Sequence, residues 1–195
     1  MTTILLVRHG ETDWNSERRW QGHADQPLND AGREQARELA ETLIDRGIDV
    51  VYSSDLVRAH ETALIVAERL GLPVQVDAGL REVDVGDWAG RLVSEIEADD
   101  PEAFQLWRQG RKAWNGGESY EEMGERVVGA VLRLAERHPG QTVLIVTHGG
   151  SIRACRATAA GLDYAASRVS AIGSMANCEV AELHVADGRL AGAAG

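Results

Sequence analysis

The sequence predicts an α/β fold, a three-layer α/β/α sandwich with a mostly parallel central sheet, in one domain spanning residues 1–195. Short apolar runs rich in branched residues alternate along the chain with segments whose apolar residues recur at helical spacing. These runs do not alternate between apolar and polar residues, which is typical of strands buried on both faces. The length of 195 residues suits a single domain, and no linker or repeat divides the chain.

The first strand and helix are predicted near the N-terminus. Residues 4–7 are a short apolar run that ends in Arg8 and His9, so a buried strand leads into a loop at that point. After a polar stretch, apolar residues recur at helical spacing over residues 36–44, and Gly47 supplies a stop signal.

A second strand and helix follow directly. Residues 50–52 are the strand, and the polar residues 53–55 are candidate caps for the helix that comes next. That helix directs apolar residues of the segment 63–70 toward the core, and Arg58 falls in its first turn. Residues 74–76 are predicted as another strand.

The segment 83–118 matches neither the strand nor the helix pattern. It carries Trp107 and Trp114 among polar residues and glycines. We therefore expect a partly helical excursion that covers a site as a lid. Its cations Arg108, Arg111 and Lys112 would then contact an anionic or sugar-bearing leaving group, while packing in the core is the alternative role for the tryptophans.

The last third of the chain is predicted to hold two helices and two strands. A Ser-x-x-Glu capping box and an apolar stripe predict a long helix over residues 119–138. Residues 142–146 are a buried strand that ends near His148, and a helix is expected over residues 151–160. Residues 179–185, followed by Asp-Gly, are predicted as the edge strand of a hairpin.

Composition excludes several function classes. The net charge of −11 argues against nucleic-acid and anionic-membrane partners, because polyanions are repelled by the average field. No apolar run approaches the roughly 20 residues that span a bilayer, and no secretory signal is visible, so a cytoplasmic location is expected. Cys155 and Cys178 indicate neither a disulfide framework nor a zinc site. A homodimer is one assembly that the sequence allows.

The basic residues are nearly all arginines. Of 20 basic residues only Lys112 is a lysine, so almost every cation is a planar guanidinium that grips phosphate or carboxylate with two parallel hydrogen bonds. A general bias of the composition toward arginine is the alternative explanation. A small anionic substrate is compatible with the acidic chain if arginines gather locally.

Three predicted strands end in residues suited to phosphoryl chemistry. Arg8 and His9 follow the first strand, Arg58 lies shortly after the second, and His148 follows the strand at residues 142–146. Ligands of open parallel sheets bind at the carboxyl ends of the strands, so these side chains are expected to converge. One imidazole can attack phosphorus, and guanidinium groups and the other imidazole can bind the phosphoryl oxygens. His23, His60, His138 and His184 are interpreted as structural.

Four blocks of sequence resemble the histidine phosphatase superfamily, whose fold is called phosphoglycerate mutase-like. They occur in the family's order between residue 4 and about residue 153. The blocks are Arg8-His9-Gly10-Glu11-Thr12; Tyr52-Ser53-Ser54-Asp55-Leu56 with Arg58-Ala59 and Thr62-Ala63; Leu80-Arg81-Glu82 with Gly86, Trp88 and Gly90; and Thr147-His148-Gly149-Gly150. This resemblance implies a metal-independent phosphatase without a cofactor that acts on a small phosphorylated substrate.

The resemblance also implies a role for each matching residue. His9 would be the nucleophile that becomes phosphohistidine, and Glu82 would be the proton donor, while Arg8, Arg58 and His148 complete the catalytic set. The residues that would bind the substrate phosphate are Arg8, Asn15, Gln21, Gly22, Arg58, His148 and Gly149. No metal ligands are implied.

Three alternatives to a phosphatase stay open at this point. A 2,3-bisphosphoglycerate-dependent phosphoglycerate mutase would return the phosphoryl group to a substrate. The segment between the first two blocks resembles the phosphatase branch, however, and the segment between Glu82 and the Ser119 helix is too short for the enclosing insertion of mutases. An inactive binding relative would be expected to lack part of the catalytic set. A zinc hydrolase is disfavoured because His60-Glu61 is followed by Leu64 where a second histidine is needed.

Overall fold

A six-stranded sheet forms the centre of the protein, as the computed structural model of residues 1–192 describes it. The strand order is β3-β2-β4-β1-β5-β6. The first four strands in this order are parallel, whereas β5 and β6 run antiparallel to their neighbours. The carboxyl ends of the parallel strands therefore meet at one edge. The strands are β1 (Thr2–Arg8), β2 (Val50–Ser53), β3 (Val74–Val76), β4 (Thr142–Thr147), β5 (Val180–Ala186) and β6 (Arg189–Gly192).

Helices cover both faces of the sheet, which confirms the predicted three-layer arrangement. The long helix α6 begins at the predicted capping box, in which Ser119 and Glu122 each accept a hydrogen bond from the other's backbone N–H. Within residues 1–192, no helix combines the length and apolar character needed to cross a membrane. The helices are α1 (Asp13–Ser16), α2 (Asp30–Leu43), α3 (Val57–Leu70), α4 (Val93–Asp99), α5 (Pro101–Arg108), α6 (Tyr120–Arg137), α7 (Gly149–Ala159) and α8 (Tyr164–Val169).

The two faces of the sheet belong to separate apolar clusters. In β1, Leu5 and Val7 pack with α2 and α3, whereas Ile4 and Leu6 pack in the cluster that contains α6 and α7. All four side chains are fully buried. Successive residues of a strand point to opposite faces, so a strand covered on both faces needs apolar residues at every position. This explains the unbroken apolar runs in the sequence.

The prediction that residues 53–55 cap α3 was wrong. The N-cap is Leu56, which has no side-chain oxygen to offer. The first backbone N–H of the helix, that of Val57, instead donates to Oδ1 of Asp25 at 2.7 Å. The cap is thus supplied from a loop that is distant in sequence, and Arg58 in the first turn is fixed relative to that loop.

Two further boundaries differ from the prediction. Residues 179–185 are not an edge strand, because β5 lies between β1 and β6, and β6 forms the edge. The connecting turn has Asp187 and Gly188 at φ values of 50° and 70°, the left-handed pair that a two-residue hairpin turn requires. Helix α7 begins at Gly149, two residues before the predicted start, and α8 was not predicted at all.

Candidate active site

Two histidines and two arginines meet at the carboxyl edge of the parallel strands. Arg8 ends β1, and His9 follows it directly. His148 is the N-cap of α7 after β4, and Arg58 lies in the first turn of α3 after β2. A cavity of 280 Å³ opens here, near the lower end of the size range of small-molecule sites. Eight of the predicted residues line it, namely Arg8, His9, Asn15, Gln21, Gly22, Arg58, Glu82 and Gly149.

The ring of His9 is buried and held in one tautomer. Its Nδ1 lies 2.7 Å from the carbonyl oxygen of Gly10, which can only accept, so Nδ1 carries the proton. Nε of Arg58 donates to Nε2 of His9 at 3.3 Å, so Nε2 carries the lone pair. Burial, together with the charges of Arg58 and Arg8, holds the pKa of His9 well below its ordinary value. His9 is therefore neutral and nucleophilic at physiological pH.

His148 is buried beside His9 and, unlike the other predicted site residues, is not among the residues that line the cavity. The ring centroids of the two histidines are 5.3 Å apart, and His148 is fully buried. Its Nε2 is 2.9 Å from Oγ of Ser54, which also accepts the N–H of Leu56. The Ser54 proton is thus available to Nε2, which leaves the ring proton on Nδ1. Nδ1 is buried and has no protein partner within residues 1–192, so it can donate to an anion beside His9.

Of the two arginines of the site, Arg58 is buried and Arg8 is half-buried, and within residues 1–192 neither has a carboxylate at ion-pair distance. Arg58 donates to the carbonyl oxygens of Gly22 at 2.8 Å and Ala24 at 2.9 Å, and burial lowers its pKa to about 10, so it stays charged at neutral pH. Arg8 donates to the carbonyl of Met175, while its buried Nε has no partner among the described residues. A buried cation without a counterion is costly, and an anion in the cavity would relieve this cost.

Glu82 is held at the N-terminus of α7. Its Oε2 accepts the N–H of Gly150 and its Oε1 accepts the N–H of Val83, both at 2.9 Å. Glu11, the other carboxylate near His9 in sequence, does not line the cavity and accepts from Nδ2 of Asn29 instead. Of the two, Glu82 is the carboxylate placed to exchange a proton with a bound ligand.

The predicted amide residues lie on the cavity wall, and within residues 1–192 their amide nitrogens make no hydrogen bond. The side-chain oxygens of Asn15 and Gln21 both lie 3.1 Å from Oγ1 of Thr12. Because those oxygens face Thr12, the amide nitrogens are the atoms that remain for an anion. Gly22 contributes through its backbone, since its carbonyl holds Arg58 and its φ of 51° favours glycine.

Sequence reasoning missed part of the cavity wall. Trp107 from the predicted excursion does line the cavity, whereas Arg108, Arg111 and Lys112 do not, and Trp114 is packed in the core. A signal for Arg153 was available, because it follows Gly149 by four residues and so shares a helix face with it. The lining residues that were not predicted for the site are Arg19, Trp20, Val83, Val85, Tyr120, Gly150, Arg153, Tyr164, Arg168, Ser174 and Met175. Within residues 1–192, no group of three or more His, Cys, Asp or Glu side chains is placed to hold a metal ion.

Known proteins resemble this chain over most of its length. Residues 4–193 match the sequence profile of the histidine phosphatase superfamily (branch 1). Phosphoglycerate mutase-like protein 4 of Arabidopsis thaliana is 46% identical over 77% of this chain and 67% of its own length. Phosphoserine phosphatase 1 of Hydrogenobacter thermophilus is 38% identical over 84% of this chain and 78% of its own.

A solved structure agrees with these sequence matches. Mycobacterial glucosyl-3-phosphoglycerate phosphatase in complex with VO3 superposes with a TM-score of 0.86 at 38% identity, covering 93% of this chain and 92% of that chain. The matches extend beyond the four sequence blocks to the whole sheet and its helices. This chain therefore belongs to the histidine phosphatase superfamily, branch 1.

Proposed function

We propose that the protein is a metal-independent phosphomonoester hydrolase that forms a phosphohistidine on His9 and acts on a small phosphorylated metabolite. The observation that carries this proposal is the state of His9, a buried neutral imidazole whose Nε2 lone pair lies beside Arg58. A neutral imidazole needs no separate base to become a nucleophile. Relatives named as phosphoserine phosphatase and glucosyl-3-phosphoglycerate phosphatase support the same reaction type.

In the first step, Nε2 of His9 attacks phosphorus and the bond from phosphorus to the ester oxygen breaks. The carboxyl group of Glu82 gives its proton to the departing alkoxide. Arg8, Arg58 and Nδ1 of His148 bind the phosphoryl oxygens while negative charge shifts among them. The donors are already positioned by the fold, so they stabilise the transition state without reorganisation.

In the second step, water attacks the phosphohistidine and the bond from phosphorus to Nε2 of His9 breaks. The carboxylate of Glu82 accepts a proton from that water, which returns the acid to its starting form. Inorganic phosphate is released and His9 is neutral again.

The cytoplasmic location and the homodimer stay predictions.

The decisive experiment removes the nucleophile. His9→Ala is expected to lower turnover of p-nitrophenyl phosphate by at least about 10⁴-fold, because no other side chain can place a nitrogen at the same point. In the wild-type enzyme, an alkaline quench during turnover should leave acid-labile phosphate on the peptide that contains His9. His60→Ala is the matched control, since His60 lies on α3 outside the cavity. Full activity of the His9 variant would refute the proposal.

A further inference from the structure

A second set of cations lines the same cavity outside the residues assigned to the phosphate. Arg153 and Arg168, called here the outer arginines, both lie on its wall, as does Arg19. Arg19 is paired with Glu17 at 2.5 Å. Within residues 1–192, by contrast, no carboxylate lies within ion-pair distance of either outer arginine. Both outer arginines thus bring positive charge to the cavity that no ion pair among the described residues neutralises.

The outer arginines are held in place by neighbouring elements. The guanidinium carbon of Arg168 lies 4.8 Å from the centre of the Trp107 ring, in cation–π contact. Nη1 of Arg153 donates to the carbonyl oxygens of Ser167 at 3.1 Å and Ile172 at 2.8 Å, and so ties α7 to α8, which carries Arg168. Cations that are fixed before a ligand arrives lose little conformational freedom on binding.

The charges on the cavity wall exceed what one phosphate requires. Arg8 and Arg58 supply two positive charges, which match a phosphate dianion. The outer arginines add two more, while Glu82 is the one carboxylate among the lining residues. This surplus occurs in a chain whose net charge is −11, so it is a local feature of the cavity and opposes the average composition. A phosphomonoester with a neutral leaving group would leave the outer arginines without a partner.

A further donor lies on the same wall. Nε1 of Trp20 is buried and has no protein partner within residues 1–192, and the Trp20 ring packs edge-on against Trp107 at 5.1 Å between centroids. This buried indole N–H lacks an acceptor, and the half-buried guanidinium group of Arg168 adds a charged donor on the same wall. A cavity volume of 280 Å³ suits a small acceptor molecule.

We propose that the leaving group of the substrate is a small hydroxy acid whose carboxylate binds the outer arginines, mainly Arg168. The assignment rests on the proposed hydrolase function and adds a substrate class to it. Carboxylates fit the planar fork of a guanidinium group through two parallel hydrogen bonds. Phosphate esters of neutral alcohols of the same size would lack this contact and are expected to be poorer substrates.

The test compares esters that differ in the carboxylate alone. The ratio of kcat/KM is measured for 3-phosphoglycerate over glycerol 3-phosphate, and for O-phosphoserine over O-phosphoethanolamine. The wild-type enzyme is expected to prefer the carboxylate ester in at least one pair by about 10- to 100-fold, the usual range for a hydrogen bond to a charged group. Glucose 1,6-bisphosphate over glucose 6-phosphate is the third pair, in which the second anion is a phosphate.

Variants connect this preference to the outer arginines. Arg168→Met removes the guanidinium group but keeps an unbranched apolar side chain, and it is expected to reduce the ratio about 10- to 100-fold. Arg168→Lys should keep part of the preference because it keeps the charge. Arg156→Met on α7 is the matched control, since it removes one positive charge outside the cavity and should leave the ratio unchanged. Thermal denaturation midpoints establish that each variant is folded.

The outcomes separate this proposal from the proposed function. Hydrolysis of p-nitrophenyl phosphate that depends on His9, with wild-type ratios near one for both carboxylate pairs, would overturn the substrate class and leave the hydrolase in place. A preference confined to the bisphosphate would overturn the carboxylate assignment. A preference for the carboxylate ester that persists in Arg168→Met would show that Arg168 does not bind the carboxylate. If no ester is hydrolysed, the hydrolase and the substrate class both fall.

Discussion

Gly150 donates its backbone N–H to the carboxylate of Glu82 at 2.9 Å, and a side chain at position 150 would collide with that same carboxylate. A Cβ built on Gly150 would lie 2.3 Å from Oε1 of Glu82, a distance that real Cβ atoms do not reach. The glycine after the His148-Gly149 pair is therefore needed for the acid to approach the N-terminus of α7.

Substitution of Gly150 tests this relationship. Gly150→Ala is expected to displace the carboxylate of Glu82 and to lower kcat on an alkyl phosphate by about 10- to 100-fold, within the range for a general acid. Steady-state rates measure the effect. Gly129→Ala on α6 is a matched control, since its Cβ would meet nothing closer than 3.5 Å. Unchanged rates in Gly150→Ala would mean that Glu82 moves without consequence.

Removal of the acid itself separates proton donation from positioning. Glu82→Gln keeps the size of the side chain and is expected to slow an alkyl phosphate by about 10²- to 10⁴-fold, because the leaving oxygen needs a proton in the transition state. The p-nitrophenolate group of p-nitrophenyl phosphate leaves as a stable anion, so hydrolysis of this ester should be affected much less. Equal losses on the two esters, measured as single-turnover phosphorylation of His9, would assign Glu82 to positioning.

The sequence predicted which residues meet at the centre of the candidate site, but only part of its wall. Arg8, His9 and His148 follow buried strands directly, so the direction of a parallel sheet alone brings them to one edge. Arg168 lies on a short helix whose placement depends on the hydrogen bonds of Arg153 to distant carbonyls. Helical spacing placed Tyr120 in the apolar stripe of α6. In the structure Tyr120 both packs in the core and borders the cavity, and the spacing of apolar residues cannot reveal that second role.

Activity is expected to survive exhaustive chelation. Arg8, Arg58 and His148 provide the positive charge and the hydrogen bonds that a metal ion supplies in other phosphatases. Dialysis against EDTA, followed by assay in metal-free buffer, should leave kcat unchanged. An activity that disappears and returns with magnesium or zinc would contradict the proposed mechanism.

The fate of the phosphoryl group separates hydrolysis from mutase activity. With 3-phosphoglycerate and 2,3-bisphosphoglycerate supplied together, inorganic phosphate is expected to be the main product, because water reaches the phosphohistidine on His9 in a hydrolase. Product analysis by ³¹P NMR distinguishes the two routes. Rapid formation of 2-phosphoglycerate with little inorganic phosphate would favour the mutase instead.

The buried histidines predict how the protein responds to acid. The pKa values of His9 and His148 both lie well below 6.5, through burial first and then through nearby charges, chiefly that of Arg58. Their imidazole ¹⁵N signals are expected to stay those of the neutral ring as the pH falls through 6.5. If the signals shift near pH 6.5 to those of the charged imidazolium ring, they would contradict the interpretation that His9 is neutral and ready to attack.

The same lowered pKa values make folding stability depend on pH. Below pH 6.5 the unfolded chain binds protons at both histidines while the folded protein does not, so the free energy of unfolding falls as the pH drops toward the folded-state pKa values. The slope from each histidine approaches about 1.4 kcal/mol per pH unit once the pH is low enough for the unfolded chain to be fully protonated at that residue. Urea denaturation between pH 5 and 7 should therefore give a shallower dependence for His148→Gln than for the wild-type protein. An unchanged slope would mean that His148 takes up its proton without unfolding.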